Sequence, residues 1–178
     1  MRQRNQISIA LVLLSLLFFG FGLPKNIQKK VNKEIAKVFE TTTVAMEAVT
    51  VPVSLNNQLP SKINEDNFFR LSEEDRLLGY AFVDKAPSKT AQFDYLVIFD
   101  AELKVIHSKV LIYREEYGGE IGSKRWLKQF LGKTGGDRVD HETNIDAISG
   151  ATISVRSMTI SMDKLLQTVG ILHENKVI

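Results

Sequence analysis

The chain has no cysteine. That absence excludes disulfides, cysteine-ligated iron–sulfur clusters, thioether-attached c-type haem and a lipid-bearing N-terminal cysteine. Histidine is scarce too. His107, His141 and His173 stand far apart, none with a companion at metal-ligand spacing, so no metal site is expected. Neither sign of charge prevails: 23 Lys and Arg against 21 Asp and Glu leave a net charge of +2. No basic helix carries interleaved aromatics, and nothing points to nucleic acid. Internal repeats and low-complexity segments are missing as well. Any redox chemistry in such a chain must come from an organic cofactor.

What is present begins with an uncharged run, Ile7 to Leu23, preceded by Arg2 and Arg4 and closed by Pro24-Lys25. As a helix it reaches about 25 Å, slightly short of the roughly 30 Å hydrocarbon core of a bilayer. The run exceeds a common signal-peptide core and has no Ala-x-Ala site, so residues 1–24 are expected to form an uncleaved transmembrane anchor. Gly20 and Gly22 leave cleavage open as the alternative. Lys25, Lys29, Lys30, Lys33 and Lys37 follow the run. Counted literally, they place the rest of the chain in the cytoplasm. A basic start ahead of an apolar stretch equally resembles an export signal.

Residues 25–62 read as an amphipathic helix, an edge strand and a connection. Ile27, Val31, Ile35 and Val38 recur at helical spacing over 25–39, a stripe that can lie on anionic lipid or pack on the domain. Val49, Val51 and Val53 alternate with Thr50 and Pro52 as an edge strand would, and 54–67 reads as a polar connection.

Residues 63–178 read as the main domain. Tyr80–Val83, Phe93–Phe99 and Leu103–Tyr113 have strand composition, and the short break at Asp100-Ala101-Glu102 predicts a hairpin between the last two. Ser123 can cap a short helix with Trp126, Leu127, Phe130 and Leu131 on one apolar face, closed by Gly132. After a Gly/Asp-rich loop, the last helix carries Val155, Met158, Met162, Leu165 and Val169 on one stripe and is expected to stop at Gly170. Strands joined by short turns and followed by helices define an α+β fold with a mainly antiparallel sheet.

The most informative stretch is Asp146-Ala147-Ile148-Ser149-Gly150-Ala151-Thr152. It sets a hydroxyl on a small-residue turn where a helix begins, and a helix N-terminus offers free N–H groups and a partial positive charge. An anion attached at Thr152 would be held by those donors. Ser, Thr and Asp are also the usual capping residues, so the same spacing suits a plain N-cap.

Asp-x-x-Ser-Gly-Ala-Thr resembles the acceptor motif of the FMN-binding domain family, which includes the small flavin-bearing subunits of Rnf-type and sodium-translocating NADH:quinone reductase complexes. A second block, Tyr113-Arg114-Glu115-Glu116-Tyr117-Gly118-Gly119-Glu120-Ile121-Gly122, is similar to the family's Glu-Thr-x-Gly-x-Gly segment. Trp126-Leu127-x-x-Phe130-x-Gly132-Lys133 follows at the family's usual distance. Together the blocks span roughly Leu78 to Gly170. The chain departs from the family at Glu116-Tyr117, where members often have Thr-Pro, so the resemblance carries Thr152 more firmly than this loop.

The resemblance implies FMN joined through its phosphate to Thr152, by a separate magnesium-dependent flavin transferase that uses FAD and releases AMP. Asp146, Ser149, Gly150 and Ala151 would shape the turn or be read by that enzyme. The motif supplies no His or Lys to activate the hydroxyl, which suits an acceptor and gives the chain no catalytic residue of its own. Gly118, Gly119 and Gly122 can bring backbone N–H groups to the isoalloxazine edge, where reduction builds negative charge, or can simply make a turn.

Trp126 suits a core position better than a stacking one. Arg114, Lys133 and Arg156 are either flavin-side charges or solvated surface. Glu115 and Glu116 point to opposite faces if extended and make no acid/base pair. Against the lysine count, the resemblance implies a membrane-anchored electron carrier on the extracytoplasmic side, working between larger membrane redox partners. A flavin-bearing sensor or assembly subunit is the alternative, and a minimal flavin reductase is a weaker third.

Overall fold

The computed structural model describes residues 22–178. The expected anchor at residues 1–24 falls outside the described residues except for its last three. Among the described residues no helix is long and apolar enough to cross a membrane.

The centre of the fold is a five-stranded sheet in the order β1-β2-β3-β4-β5; its antiparallel pairing is what the sequence pattern predicts, while the strand at Phe68–Glu73 is not predicted by it. The strands are β1 (Ala45–Ala48), β2 (Phe68–Glu73), β3 (Arg76–Pro87), β4 (Gln92–Asp100) and β5 (Val105–Ile112). Each is joined to its neighbour in the chain, so the sheet is a simple meander. The predicted β4–β5 hairpin is present, turning through Asp100 to Leu103.

Alternation along β4 shows how the sheet separates two cores. Phe93, Tyr95, Val97 and Phe99 face one side, while Leu96 and Ile98 face the other, and all six are buried. The second side is covered by α1 (Lys25–Phe39), whose Ile27, Val31 and Ile35 are buried against Leu96, Ile98 and Leu111. Burying three such side chains stabilises this layer by about 1.5–3 kcal/mol each. The stripe therefore packs on the domain, leaving Lys25, Lys29, Lys33 and Lys37 exposed on the opposite face. Lys30 donates to the Leu111 carbonyl at 2.8 Å, and His107 meets Glu34 at 3.0 Å, so β5 holds the helix by polar contacts too.

The first side carries the larger core. It is covered by α4 (Thr152–Glu174), with Val155, Met158, Met162, Leu165 and Val169 buried as the stripe predicts. A short helix, α3 (Lys124–Leu127), runs into a 3₁₀ turn at Lys128–Phe130. Ser123 caps α3 by accepting from the Trp126 N–H. Trp126, Leu127 and Phe130 are buried, but Leu131 is 46% exposed, because the chain leaves the helix there in an extended conformation.

Three further expectations are corrected. The edge strand lies at Ala45–Ala48, not at Val49–Val53. The ladder ends with the Val49 N–H on the Phe68 carbonyl, and Pro52, which lacks a donor, starts the short helix α2 (Val53–Asn56). The connection after it is not wholly polar, since Leu59 and Ile63 are buried and β2 begins at Phe68. Gly170 does not end α4, which continues to Glu174. A Cβ on Gly135 would sit 2.5 Å from the Gly170 Cα, so the two glycines let the Gly/Asp-rich loop press against the helix backbone. Gly170 is a contact, not a stop.

Candidate functional site

The turn before α4 is built around Gly150. The Ala151 N–H donates to the Ile148 carbonyl at 3.1 Å, and Gly150 has φ +79°, a left-handed conformation that favours glycine. A Cβ placed there would touch nothing within 4 Å, so the space beside it is open. Ala151 is buried and occupies the N-cap position of α4, with no side-chain cap bond. The plain capping role for Ser149 or Thr152 is thus not taken up. The first i→i−4 bond runs from Val155 N–H to the Ala151 carbonyl at 2.9 Å, leaving the N–H groups of Thr152, Ile153 and Ser154 without an acceptor among the described residues. Thr152 is exposed and is the first helical residue.

Asp146 begins the motif and is held by its backbone. The Trp126 indole N–H donates to the Asp146 carbonyl at 2.7 Å, and the Asp146 N–H donates to the Gln129 side-chain oxygen at 2.8 Å. Gln129 in turn donates to the Trp126 carbonyl at 3.0 Å, and Trp126 packs edge-on against Phe130 at 5.3 Å. The short helix after Ser123 therefore clamps the start of the motif loop. Trp126 is core, as expected, and the Asp146 side chain is left exposed.

The two sequence blocks converge here. A cavity of about 480 Å³ is lined by Tyr113, Glu115 and Tyr117 from the chain after β5, by Gly150 to Ser154, and by Lys89 from the β3–β4 turn. Tyr113 joins the blocks: its hydroxyl lies 3.1 Å from Ser154 Oγ and its ring 5.9 Å from Phe93. Gly118 is wedged at the junction with φ +82°, where a Cβ would lie 2.9 Å from the Tyr113 hydroxyl and 3.0 Å from the Ala151 Cβ. Gly119 and Gly122 bound a 3₁₀ turn outside the cavity lining; Gly119 meets nothing, and Gly122 faces Val110. Of the glycine loop, only Gly118 abuts the turn before α4.

Glu115 is committed to structure. It accepts from Thr90 N–H at 2.7 Å, Ser88 Oγ at 2.7 Å, Thr90 Oγ1 at 3.0 Å and Ala91 N–H at 3.2 Å. These donors, the Thr90 N–H foremost, hold its carboxyl down at about 2. Arg114 is engaged on β4: it donates to the Gln92 carbonyl at 2.7 Å and to the buried Asp94 carboxylate at 2.5 Å. Lys133 lies 3.9 Å from Asp137, and neither it nor Arg156 lines the cavity.

Sequence reasoning did not name six of the lining residues as site residues: Lys89, Tyr113, Glu115, Tyr117, Ile153 and Ser154. Tyr117, 80% exposed, stood out only as a departure from the family pattern, and Ile153, 50% exposed, follows Thr152 directly. Lys89 gave no signal, since only the hairpin brings it here.

The lining mixes aromatic, apolar and polar groups around free helix-terminal N–H donors, within the usual size range of a cofactor pocket. This is a domain suited to holding a phosphate-bearing ligand at a helix N-terminus, with its remainder against two tyrosines. Comparison with known families matches residues 90–167 to the FMN-binding domain. Over those residues the chain is similar to that family, which supports a flavin-binding domain here. The match takes in β4, β5, both motif blocks and the first turns of α4, while Lys89 and α1 lie outside it. No curated protein matches the chain.

Proposed function

We propose that this protein is an electron carrier whose FMN is joined by a phosphoester to Thr152. The observation that carries the reading is the exposed Thr152 hydroxyl, at an uncapped helix N-terminus, opening on a cavity of about 480 Å³. The unpaired N–H groups of the first turn can hold a phosphodiester oxygen, and the helix dipole favours the anion by about 0.3–1 kcal/mol. Gly150 leaves room for the phosphate beside the backbone. Bound FMN would supply reversible electron acceptance, which no side chain of this chain provides.

Among the described residues no hydrogen bond joins the Thr152 hydroxyl to a base, which supports attachment by a separate transferase with FAD and magnesium. In that step the Thr152 Oγ–P bond forms while the pyrophosphate bond of FAD breaks. AMP leaves, and the hydroxyl proton passes to a base on the transferase. The exposed Asp146 carboxylate, held out by the Trp126–Gln129 clamp, is a feature for that enzyme to read.

In this reading residues 7–23 anchor the chain in the membrane and residues 25–178 work outside the cytoplasm, exchanging electrons with membrane redox partners. A covalent link keeps the flavin there whatever its affinity. The exposed Tyr117 and Ile153 at the cavity mouth give such a partner an approach to the ring.

Intact mass of the protein from its native host should show one FMN less water, and Thr152→Ala should remove both the added mass and the yellow colour. A normal adduct on Thr152→Ala refutes the attachment point. Full labelling without added transferase refutes the separate enzyme. Protease added to intact spheroplasts should digest the domain, and protection there would return it to the cytoplasm, as the lysines after the apolar run suggest.

A further inference from the structure

The β3–β4 turn is fastened far more firmly than an exposed hairpin tip requires. The Ser88 N–H donates to the Ala91 carbonyl at 2.8 Å, which already closes the turn. Glu115 then adds four hydrogen bonds from outside the hairpin, to Ser88, Thr90 and Ala91. The residue enclosed by those contacts, Lys89, receives none of them. It is exposed and lines the cavity that contains Thr152.

Glu115, the other charged residue lining the cavity, is already engaged, and so is Arg114 beside it. Arg114 is paired with Asp94, and the Glu115 carboxylate is occupied by the turn. Lys89 is the one cation among the described residues that line this cavity. A turn held rigidly by a carboxylate that stays ionised, presenting a lysine to a cofactor pocket, is an arrangement for fixing a positive charge where negative charge develops.

We propose that Lys89 is the counter-charge for the reduced isoalloxazine ring and that Glu115 is the residue that positions it. The inference rests on Thr152 as the flavin attachment point. Reduction adds two electrons and one proton to FMN. The proton goes to N5, and the negative charge is left on the N1–C2 carbonyl edge. A lysine ammonium beside that edge stabilises this anion and not the neutral oxidised ring. It therefore raises the reduction potential and keeps a second proton off N1.

The test uses the full-length flavinylated chain, reduced by dithionite in a spectroelectrochemical titration between pH 6 and pH 8. Intact mass first verifies the flavin. Lys89→Met should lower the potential at pH 7 by about 30 mV, a tenfold change in the reduced-to-oxidised ratio for a two-electron couple. The wild-type potential should fall by about 30 mV per pH unit, the slope for one proton per two electrons. In Lys89→Met the second proton is taken up and the slope should roughly double. Lys89→Arg should retain the wild-type slope. Glu115→Gln, which leaves the lysine in place but loosens its turn, should shift the potential in the same direction by a smaller amount. A flavinylated Lys89→Met with unchanged potential and slope overturns the assignment alone. Absence of flavin on the wild-type Thr152 overturns the assignment together with the reading beneath it.

Discussion

Replacing Trp126 by Phe removes one hydrogen bond and a little packing, and the structure indicates where each loss is felt. The indole N–H is the donor to the Asp146 carbonyl at 2.7 Å, and the ring is 4% exposed against Phe130. Asp146 itself is exposed, so water can reach its carbonyl, and the lost bond costs about 1 kcal/mol rather than the 3 of a sealed site. Shrinking the indole to a phenyl removes a few buried atoms, for about 1–2 kcal/mol more. Urea unfolding should therefore show a loss of about 2–3 kcal/mol.

The functional effect is separable, because the bond holds Asp146, the first residue of the motif proposed to accept the flavin. Losing about 1 kcal/mol of that restraint makes the competent loop about fivefold rarer. Labelling by the transferase should slow by about that factor in kcat/KM, measured by the appearance of the flavinylated mass. Gln129→Ala, which frees the Asp146 N–H, should act in the same direction with less effect on stability. A Trp126→Phe variant that loses stability yet is flavinylated at the wild-type rate would refute the clamp as a positioning device. It would leave Trp126 an ordinary core residue.

Three more outcomes follow from the geometry. Gly118→Val should cost about 2–4 kcal/mol in thermal or urea unfolding, since its φ is +82° and its side chain would press on Tyr113 and Ala151, whereas Gly119→Ala should leave stability and flavin spectrum unchanged. Ile35→Ala should destabilise by about 2–5 kcal/mol and loosen α1 from the sheet, read as faster hydrogen exchange in Lys25–Phe39. The Glu115 carboxyl is depressed from its ordinary 4.5 to about 2, so the stability it contributes is fully present above pH 4.5 and is lost as pH falls toward 2. Glu115→Gln should abolish that acid limb of the unfolding profile, and an unchanged limb would show that other carboxylates produce it.

What could be read from the chain alone was local. The α1 stripe, the β4–β5 hairpin, the Ser123 cap and the start of α4 at Thr152 each follow from neighbours within a few residues, through helical or strand periodicity and turn chemistry. The small-residue turn from Asp146 to Thr152 was legible for the same reason, whereas its reading as a flavin acceptor rests on the resemblance to the FMN-binding domain family. The misreadings also occurred where a local pattern met a distant partner. Gly170 looked like a helix stop until Gly135 packed on it, and the alternating valines yielded to Pro52 and to the pairing of Ala45–Ala48 with β2.

Only the tertiary structure could decide what surrounds Thr152. Tyr113 to Tyr117, Gly150 to Ser154 and Lys89 lie far apart in sequence, and no periodicity links them. They meet because the antiparallel meander brings the β3–β4 turn beside the end of β5, and because α4 packs its apolar stripe across the same face of the sheet. The hydrogen bonds that join them, from Glu115 to the turn and from Tyr113 to Ser154, form only once that packing has set the distances.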